Sequence, residues 1–360
     1  MKPLVVRFST VAALILAATV CTAGALTGDA DNAEGGGSAV VCPTGSPPVG
    51  TLDRTIDHDG LTREYTLYVP SSYTGDTPLP VVFVFHGTGG TGAEYHIYLY
   101  GFRTIADTAG FVLVYPTALV SPLGQTRWAY QPSDWDITST PGEPDDLGFT
   151  AAIIDALASE YCIDETRVYA TGLSAGGIFT YYLGTELSNR IAAIAPIAGT
   201  LTNTMYSQAS PQHPTPVFEI HGTDDPPNLV PYNGSIWGLS VEEALDYWVG
   251  FNDCNSTPTI TTLPDLDPTD GSTTEHHVWT GCDSGVAVEH FKVINGGHTW
   301  FGDPPGWPPP GSGGSNCYDF NGLQVIWDFF SRYDINGAIG MIFDDGFESG
   351  GVTAWSASRP

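Results

Sequence analysis

Short apolar runs along the chain alternate with longer stretches of helical spacing. Val81-Val82-Phe83-Val84-Phe85 is continuously apolar, as expected of a strand covered on both faces. Phe111 to Tyr115, Arg167 to Thr171, Ala192 to Ile197 and Val217 to Ile220 read the same way, and Val286 to Ile294 closes the series. Arg63 to Val69 instead alternates polar and apolar, the mark of a half-buried strand. Between these runs, Ala93 to Ala109, Leu147 to Tyr161, Ser174 to Leu187, Val241 to Phe251 and Asn321 to Tyr333 read as helices. Regular alternation of strand and helix predicts an α/β class: a mostly parallel central sheet with helices on both faces. No internal repeat is present.

The ends depart from this pattern. Lys2 and Arg7 precede the apolar run Val11 to Val20, and Ala23-Gly24-Ala25 supplies a small-residue cleavage site. Residues 1–25 therefore read as a secretory signal peptide, and the run is too short for a comfortable membrane span. A lipid anchor would use Cys21, but bulky Val20 stands where a small residue is needed. Residues 26–41 read as a flexible leader, 42–335 as one folded domain and 336–360 as a tail too short to bury a core. The expected state of that tail is a loose end. Export places the protein outside the cell or in a periplasm.

Composition narrows the partners. The chain of 360 residues is 42% hydrophobic with nine tryptophans, enough for a sizeable core. Its 11 Lys and Arg face 40 Asp and Glu, a formal charge of −29. Loss of the signal peptide removes Lys2 and Arg7 and leaves Lys292 as the last lysine. Such a surface repels nucleic acid and anionic lipid, so neither is an expected partner. Self-repulsion also costs stability, and salt screens it.

Five cysteines remain after cleavage: Cys42, Cys162, Cys254, Cys282 and Cys317. An oxidising compartment favours disulfides, and an odd number leaves at least one thiol over. Cys254 and Cys282 flank a polar insert and form the expected pair, while Cys42, Cys162 and Cys317 compete for a second bridge. No close C-x-x-C or H-x-x-x-H pairing suggests zinc, so no metal or cofactor is expected.

Candidate chemistry comes from three sites in a fixed order. Gly172-Leu173-Ser174-Ala175-Gly176 comes first, His221-Gly222-Thr223-Asp224-Asp225 second and Gly296-Gly297-His298-Thr299-Trp300 last. A G-x-S-x-G serine, then a carboxylate, then a histidine is the chain order of the α/β-hydrolase triad. The strand before Ser174 and the helix after it are the setting that the motif needs. A serine that merely caps a helix is the plainer alternative. His298 follows a strand and two glycines and would serve as the base that activates the serine. The other setting-free histidines, His58, His96, His213, His276, His277 and His290, are expected at a solvated surface. Asp225 fits H-G-x-x-D spacing and is preferred over Asp224 as the acid, although both could be turn formers beside Pro226.

His86-Gly87-Thr88-Gly89-Gly90 follows a predicted strand, and its small residues would let backbone N–H groups face an oxyanion. The Thr88 and Ala175 amides are the expected donors. A phosphate loop is a poor reading, because no G-K-[ST] follows. Trp128, Tyr130 and Trp135 lie in a polar, irregular stretch, and Trp300 and Trp307 flank His298. Trp128, Trp135 and Trp300 are the candidates for substrate contact, against ordinary core packing. Gly302 to Asn316, dense in Gly and Pro, is expected to be irregular and to border the site.

These landmarks together resemble the secreted polyhydroxybutyrate depolymerase and feruloyl esterase family of α/β-hydrolases. The likeness covers roughly Cys42 to Tyr333. It rests on His86-Gly87-Thr88-Gly89-Gly90, Asp145-Asp146-Leu147-Gly148-Phe149, Tyr161-Cys162-Ile163-Asp164, Tyr169 to Gly177, His221 to Asp225 with Val230-Pro231-Tyr232, and Gly297-His298-Thr299-Trp300. The resemblance implies carboxyl-ester hydrolysis through an acyl-enzyme, with Ser174, Asp225 and His298 as the triad. It puts polyesters of the polyhydroxybutyrate type, or their oligomers, first as substrate, and feruloyl or acetylxylan esters of plant polysaccharide second. Two features stand apart from the family pattern. The run from Pro226 to Val230 is longer than usual, which keeps Asp224 open. About 25 residues follow the catalytic region, too few for the separate domain that binds solid polyester. A peptidase would need an added propeller or cap, and a non-catalytic binding protein would not need the full set of catalytic residue types.

Overall fold

A computed structural model of the chain describes residues 42–130, 144–302 and 315–340, all within the structural unit Val40–Pro360. In chain order come β1 (Gly50–His58), β2 (Leu61–Val69), β3 (Leu79–Phe85), α1 (Gly92–Tyr98), α2 (Tyr100–Ala109) and β4 (Val112–Pro116). Next are α3 (Asp146–Glu160), β5 (Ile163–Leu173), α4 (Ala175–Glu186), β6 (Ala193–Ile197), α5 (Asn203–Gln208) and β7 (Val217–Gly222). The last elements are α6 (Val241–Phe251), β8 (Thr259–Thr262), β9 (Thr273–Trp279), β10 (Val288–Ile294), α7 (Gly322–Phe330), β11 (Tyr333–Asp334) and β12 (Gly337–Ala338).

Among the described residues ten strands form one sheet in the order β1-β2-β4-β3-β5-β6-β7-β10-β9-β8. The six from β4 to β10 run parallel. Antiparallel pairs close both margins. The expected α/β class with a mostly parallel sheet is therefore what the chain adopts. The continuous apolar runs explain the two-faced core. Val81, Phe83 and Phe85 pack with α3, α4 and α6 residues such as Phe149, Phe179 and Trp248. Val82 and Val84, pointing the other way, pack with Phe102 of α2 and Ile326 of α7.

The marginal strands are the additions to the expected set. β1 alternates half-buried and exposed positions, β8 is exposed throughout, and β9 carries Glu275, His276 and His277. The helix expected over Ala93 to Ala109 is broken at Leu99, whose backbone leaves the helical region, so α1 and α2 are separate. Directly after α7, β12 pairs with β11, and the Ile335 amide donates to the Thr166 carbonyl; residues 341–360 lie outside the described part of the chain.

Two disulfides join Cys42 to Cys162 and Cys254 to Cys282. The second is the expected pair, and the first resolves the three-way competition. Cys317 is left as a buried thiol whose sulfur lies 3.3 Å from Thr274 Oγ1.

Candidate active site

β5 runs directly into Ser174, which caps α4 with φ 59° and ψ −120°. Positive φ is costly for a residue with a side chain and persists only where its surroundings enforce it. Close packing enforces it here. A Cβ on Gly176 would lie 2.2 Å from the Phe85 carbonyl oxygen, and one on Gly172 would lie 2.7 Å from Gly176. Strand and helix can approach this tightly only with glycine at both positions. The Ser174 amide donates to the Ile197 carbonyl at 3.0 Å, and the residue stays partly exposed.

The loop after β3 lies beside this turn, since a Cβ on Gly87 would sit 3.4 Å from Ser174 Cβ. Its amides are mostly engaged: Gly87 N–H donates to Tyr95 Oη at 2.8 Å, Gly89 to Thr126 O at 2.9 Å and Gly90 to Gly87 O at 3.1 Å. The Thr88 amide alone in this stretch finds no acceptor among the described residues, and Thr88 is exposed. Ala175 opens α4, where first-turn amides lack an intrahelical partner. His86 shapes the loop from below. Its Nδ1 donates to Gly87 O at 2.7 Å and its Nε2 accepts from Ala118 N at 3.0 Å, which fixes a neutral tautomer. Burial pushes its pKa down to about 4.

β7 and β10 are parallel neighbours and bring the remaining two groups together. The Thr223 amide donates to Val293 O and the Asp224 amide to Gly296 O, so the two strand ends are clamped. His298 Nδ1 then lies 2.6 Å from Asp225 Oδ2. Asp225 is buried while Asp224 is exposed, and of the two it is Asp225 that meets the His298 ring. Val230 N–H donates to Asp225 Oδ1 at 3.2 Å. Burial alone would raise the Asp225 pKa, but hydrogen bonds from His221 and His298 hold it below the ordinary value. Among the described residues no hydrogen bond joins Ser174 to His298. Both stand at the carboxyl edge of the parallel strands, where α/β sheets place ligands.

Several expectations are corrected. Trp128 is fully buried: its Nε1 donates to His86 O at 2.8 Å and its ring stacks on Phe179, so it supports the loop rather than facing a substrate. Trp300 is also fully buried, in the core on the α7 side, with Tyr95 edge-on at 6.4 Å. Tyr130 is nearly buried as well. Trp135 and Trp307 lie outside the described residues, as does most of Gly302 to Asn316. His96 and His290 are buried, and His58, His213, His276 and His277 are half-buried, so none of the six is simply solvated. Each has a polar partner in the fold, such as Thr51 Oγ1 at 3.0 Å from His96 Nε2.

Two features escaped sequence reasoning. One is a buried pair behind the acid: His221 Nε2 is 3.2 Å from Asp225 Oδ2, and His221 Nδ1 is 2.9 Å from Glu219 Oε1. The visible signal was two ionisable residues inside an apolar run. The other is an open cavity of about 870 Å³ beside Asp225, lined by Asp224, Tyr232, Asn233, Ile236 and Trp237 among others. Ile236 is 97% exposed and Trp237 is 38% exposed there, which is unusual for large apolar side chains.

The phospholipase/carboxylesterase family profile matches residues 73–236. A bifunctional acetylxylan esterase/xylanase of Neocallimastix patriciarum is 30% identical over 290 residues, 80% of this chain and 36% of that protein. Feruloyl esterase B of Piromyces equi is 27% identical over 258 residues, 68% of this chain and 44% of that protein. The chain thus spans less than half the length of these two relatives. A poly(3-hydroxyalkanoate) depolymerase C of Paucimonas lemoignei is 27% identical over 304 residues, 76% of this chain and 66% of that protein. An acetyl xylan esterase from Aspergillus awamori has the same fold, with a TM-score of 0.50 at 18% identity over 75% of this chain and 94% of that one. In strand order and solved likeness the chain has the α/β-hydrolase fold, and within it residues 73–236 match the phospholipase/carboxylesterase family.

Proposed function

We propose that the protein is a secreted serine hydrolase of carboxyl esters, acting on feruloyl or acetyl esters of plant polysaccharide. One observation carries the esterase reading: the 2.6 Å bond from His298 Nδ1 to Asp225 at the sheet edge that also bears the strained Ser174 turn. With Nδ1 committed to Asp225, Nε2 of His298 is the nitrogen left to take the Ser174 proton. The freed alkoxide attacks the ester carbonyl, and the Thr88 and Ala175 amides stabilise the oxyanion. Each such donor is typically worth roughly 3–4 kcal/mol in the transition state. His298 returns the proton to the leaving alcohol. Water, activated by the same ring, then releases the acid and restores Ser174.

The choice of substrate rests on the names of the relatives, which favour polysaccharide esters over the polyester that the motifs put first. The exposed Trp237 beside Asp225 fits a sugar or phenolic ring. The secreted protein and Ser174→Ala are to be assayed together on methyl ferulate, acetylated xylan and polyhydroxybutyrate film. Turnover of the first two, lost in the variant, is the expected result. Preferred attack on film overturns the substrate assignment. Full activity of Ser174→Ala overturns the mechanism.

A further inference from the structure

Glu219 and His221 stand two residues apart in β7, so both side chains leave the same face of the sheet, and both are fully buried. A central parallel strand ordinarily carries apolar residues at such positions. Buried charge is costly unless it is paired and hydrogen-bonded, and here the pairing is complete. Tyr181 Oη donates to Glu219 Oε2 at 2.7 Å, and Glu219 Oε1 faces His221 Nδ1 at 2.9 Å. His221 Nε2 faces the Val230 carbonyl at 2.8 Å and Asp225 Oδ2 at 3.2 Å. Every atom met by the two ring nitrogens is thus an acceptor. A neutral imidazole donates from only one nitrogen, so with Glu219 ionised the ring must be an imidazolium.

The other groups around this pair leave its charge unopposed. His290 Nδ1 donates to the Glu219 carbonyl at 3.1 Å and its Nε2 meets Tyr232 Oη at 3.1 Å, a neutral arrangement. Burial holds His290 well below its ordinary pKa. Tyr232 stands edge-on to His221, and Lys292 Nζ lies 4.9 Å from the Tyr232 ring centre. Lys292 is paired with Glu242 at 3.1 Å, and His277, whose ring lies 5.9 Å from that of His290, is paired with Glu275 at 3.0 Å. His298 completes the surroundings on the Asp225 side. Burial pulls the His221 pKa down, but hydrogen bonds to Asp225 and Glu219 outweigh it and raise it to about 9.

We propose that His221 is a buried imidazolium, held by Glu219, that positions the triad carboxylate and offsets part of its charge. The line Tyr181–Glu219–His221–Asp225–His298 then acts as one unit of hydrogen bonds and ion pairs, and the proposal rests on the esterase reading above. Both His221 and Glu219 are positioning residues, since they reach the reaction only through Asp225. Asp225 Oδ2 accepts from His298 and is ion-paired with His221, and Oδ1 accepts from Val230 N–H, so three contacts fix the carboxylate. The His221 cation, 3.2 Å away, also tempers the basicity that Asp225 confers on His298.

Two measurements on the whole protein test this. Nitrogen-15 NMR of histidine-labelled enzyme at pH 7.5 should show both His221 ring nitrogens protonated. A neutral His221 overturns the proposal. Kinetics on p-nitrophenyl acetate supply the second test. His221→Asn should lower kcat by about 10- to 100-fold, the scale on which misplacing a catalytic group costs rate. KM should change little, and the acid limb of the kcat/KM profile should move to higher pH, because a positive charge beside Asp225 is gone. A purely structural role would reduce folded enzyme without moving that limb, and an unmoved limb with unchanged kcat overturns the proposal. If His221→Asn does not fold, the near-isosteric Glu219→Gln should extinguish the second ring N–H signal and shift the limb the same way. Wild-type enzyme inert to esters and to a fluorophosphonate probe would instead defeat the esterase reading, while the NMR result still decides the state of His221.

Discussion

Arg63 and Asp146 meet at 2.6 Å with both side chains almost wholly withdrawn from solvent. The guanidinium also lies 3.9 Å from the Phe149 ring centre, and the second Asp146 oxygen accepts the Ala129 amide at 2.7 Å. One carboxylate thereby joins β2, the start of α3 and the segment that holds Trp128. Asp146→Ala would leave Arg63 buried without its partner, and breaking such a pair costs about 3–5 kcal/mol. Urea unfolding should register that loss. A variant within 1 kcal/mol of the parent, on the scale of an exposed pair, would contradict the structural role given to this bridge.

Gly176→Ala tests the turn at Ser174. The added methyl would stand 2.2 Å from the Phe85 carbonyl, and no flexible side chain is there to yield. Either α4 must retreat from the sheet or Ser174 must leave its positive-φ state. Ester hydrolysis should fall by roughly 100-fold or more. Full activity in correctly folded variant protein would show that the turn tolerates a wider approach.

The Cys42–Cys162 bridge closes 120 residues of sequence. Cross-links of that span contribute about 3–5 kcal/mol, chiefly by restricting the unfolded chain. Cys162→Ser should therefore lower Tm markedly under oxidising conditions, and a reductant should bring the parent close to the variant. Equal melting of parent and variant without reductant would mean that the bridge does not form.

Stability should also depend on pH through His221. Its folded pKa, about 9, is raised above the ordinary histidine value. The stability it contributes is thus complete below about pH 6.5 and is lost as pH rises through 9. Melting curves from pH 6 to 10 should decline for the parent and flatten for His221→Asn. Parallel curves would remove His221 as the source of the decline.

With 40 acidic and 11 basic side chains, the protein repels itself. Sodium chloride should raise Tm between about 0.05 and 1 M, since the screening length shrinks over that range. A flat or falling Tm would show that local ion pairs outweigh the net charge.

The sheet was legible where strands are covered on both faces, because Val81–Phe85 and its fellows cannot be exposed. The marginal strands were not. β8 is Thr-Ile-Thr-Thr and fully exposed, so its place depends on pairing with β9 rather than on burial. The break at Leu99 carries neither glycine nor proline as a warning. Around the site, motif order singled out Ser174, Asp225 and His298 as candidates, but that Asp225 rather than Asp224 meets His298 is visible only in the turn after β7. Trp128 misled because its neighbours in sequence are polar while its neighbours in space are Phe85 and Phe179. Glu219 and His221 were hidden for the converse reason: an apolar run suggests a dry strand, and only the fold reveals a proton-bearing line inside it.

β10 carries His298 into place, yet it is the sixth and last strand of the parallel set to be synthesised. A nascent chain therefore holds its reactive serine turn long before it holds the imidazole and the clamp on β7. On the proposed mechanism, products that stop short of residue 298 would be chemically silent, so the arrival of β10 and the turn after it would be the step that arms the triad.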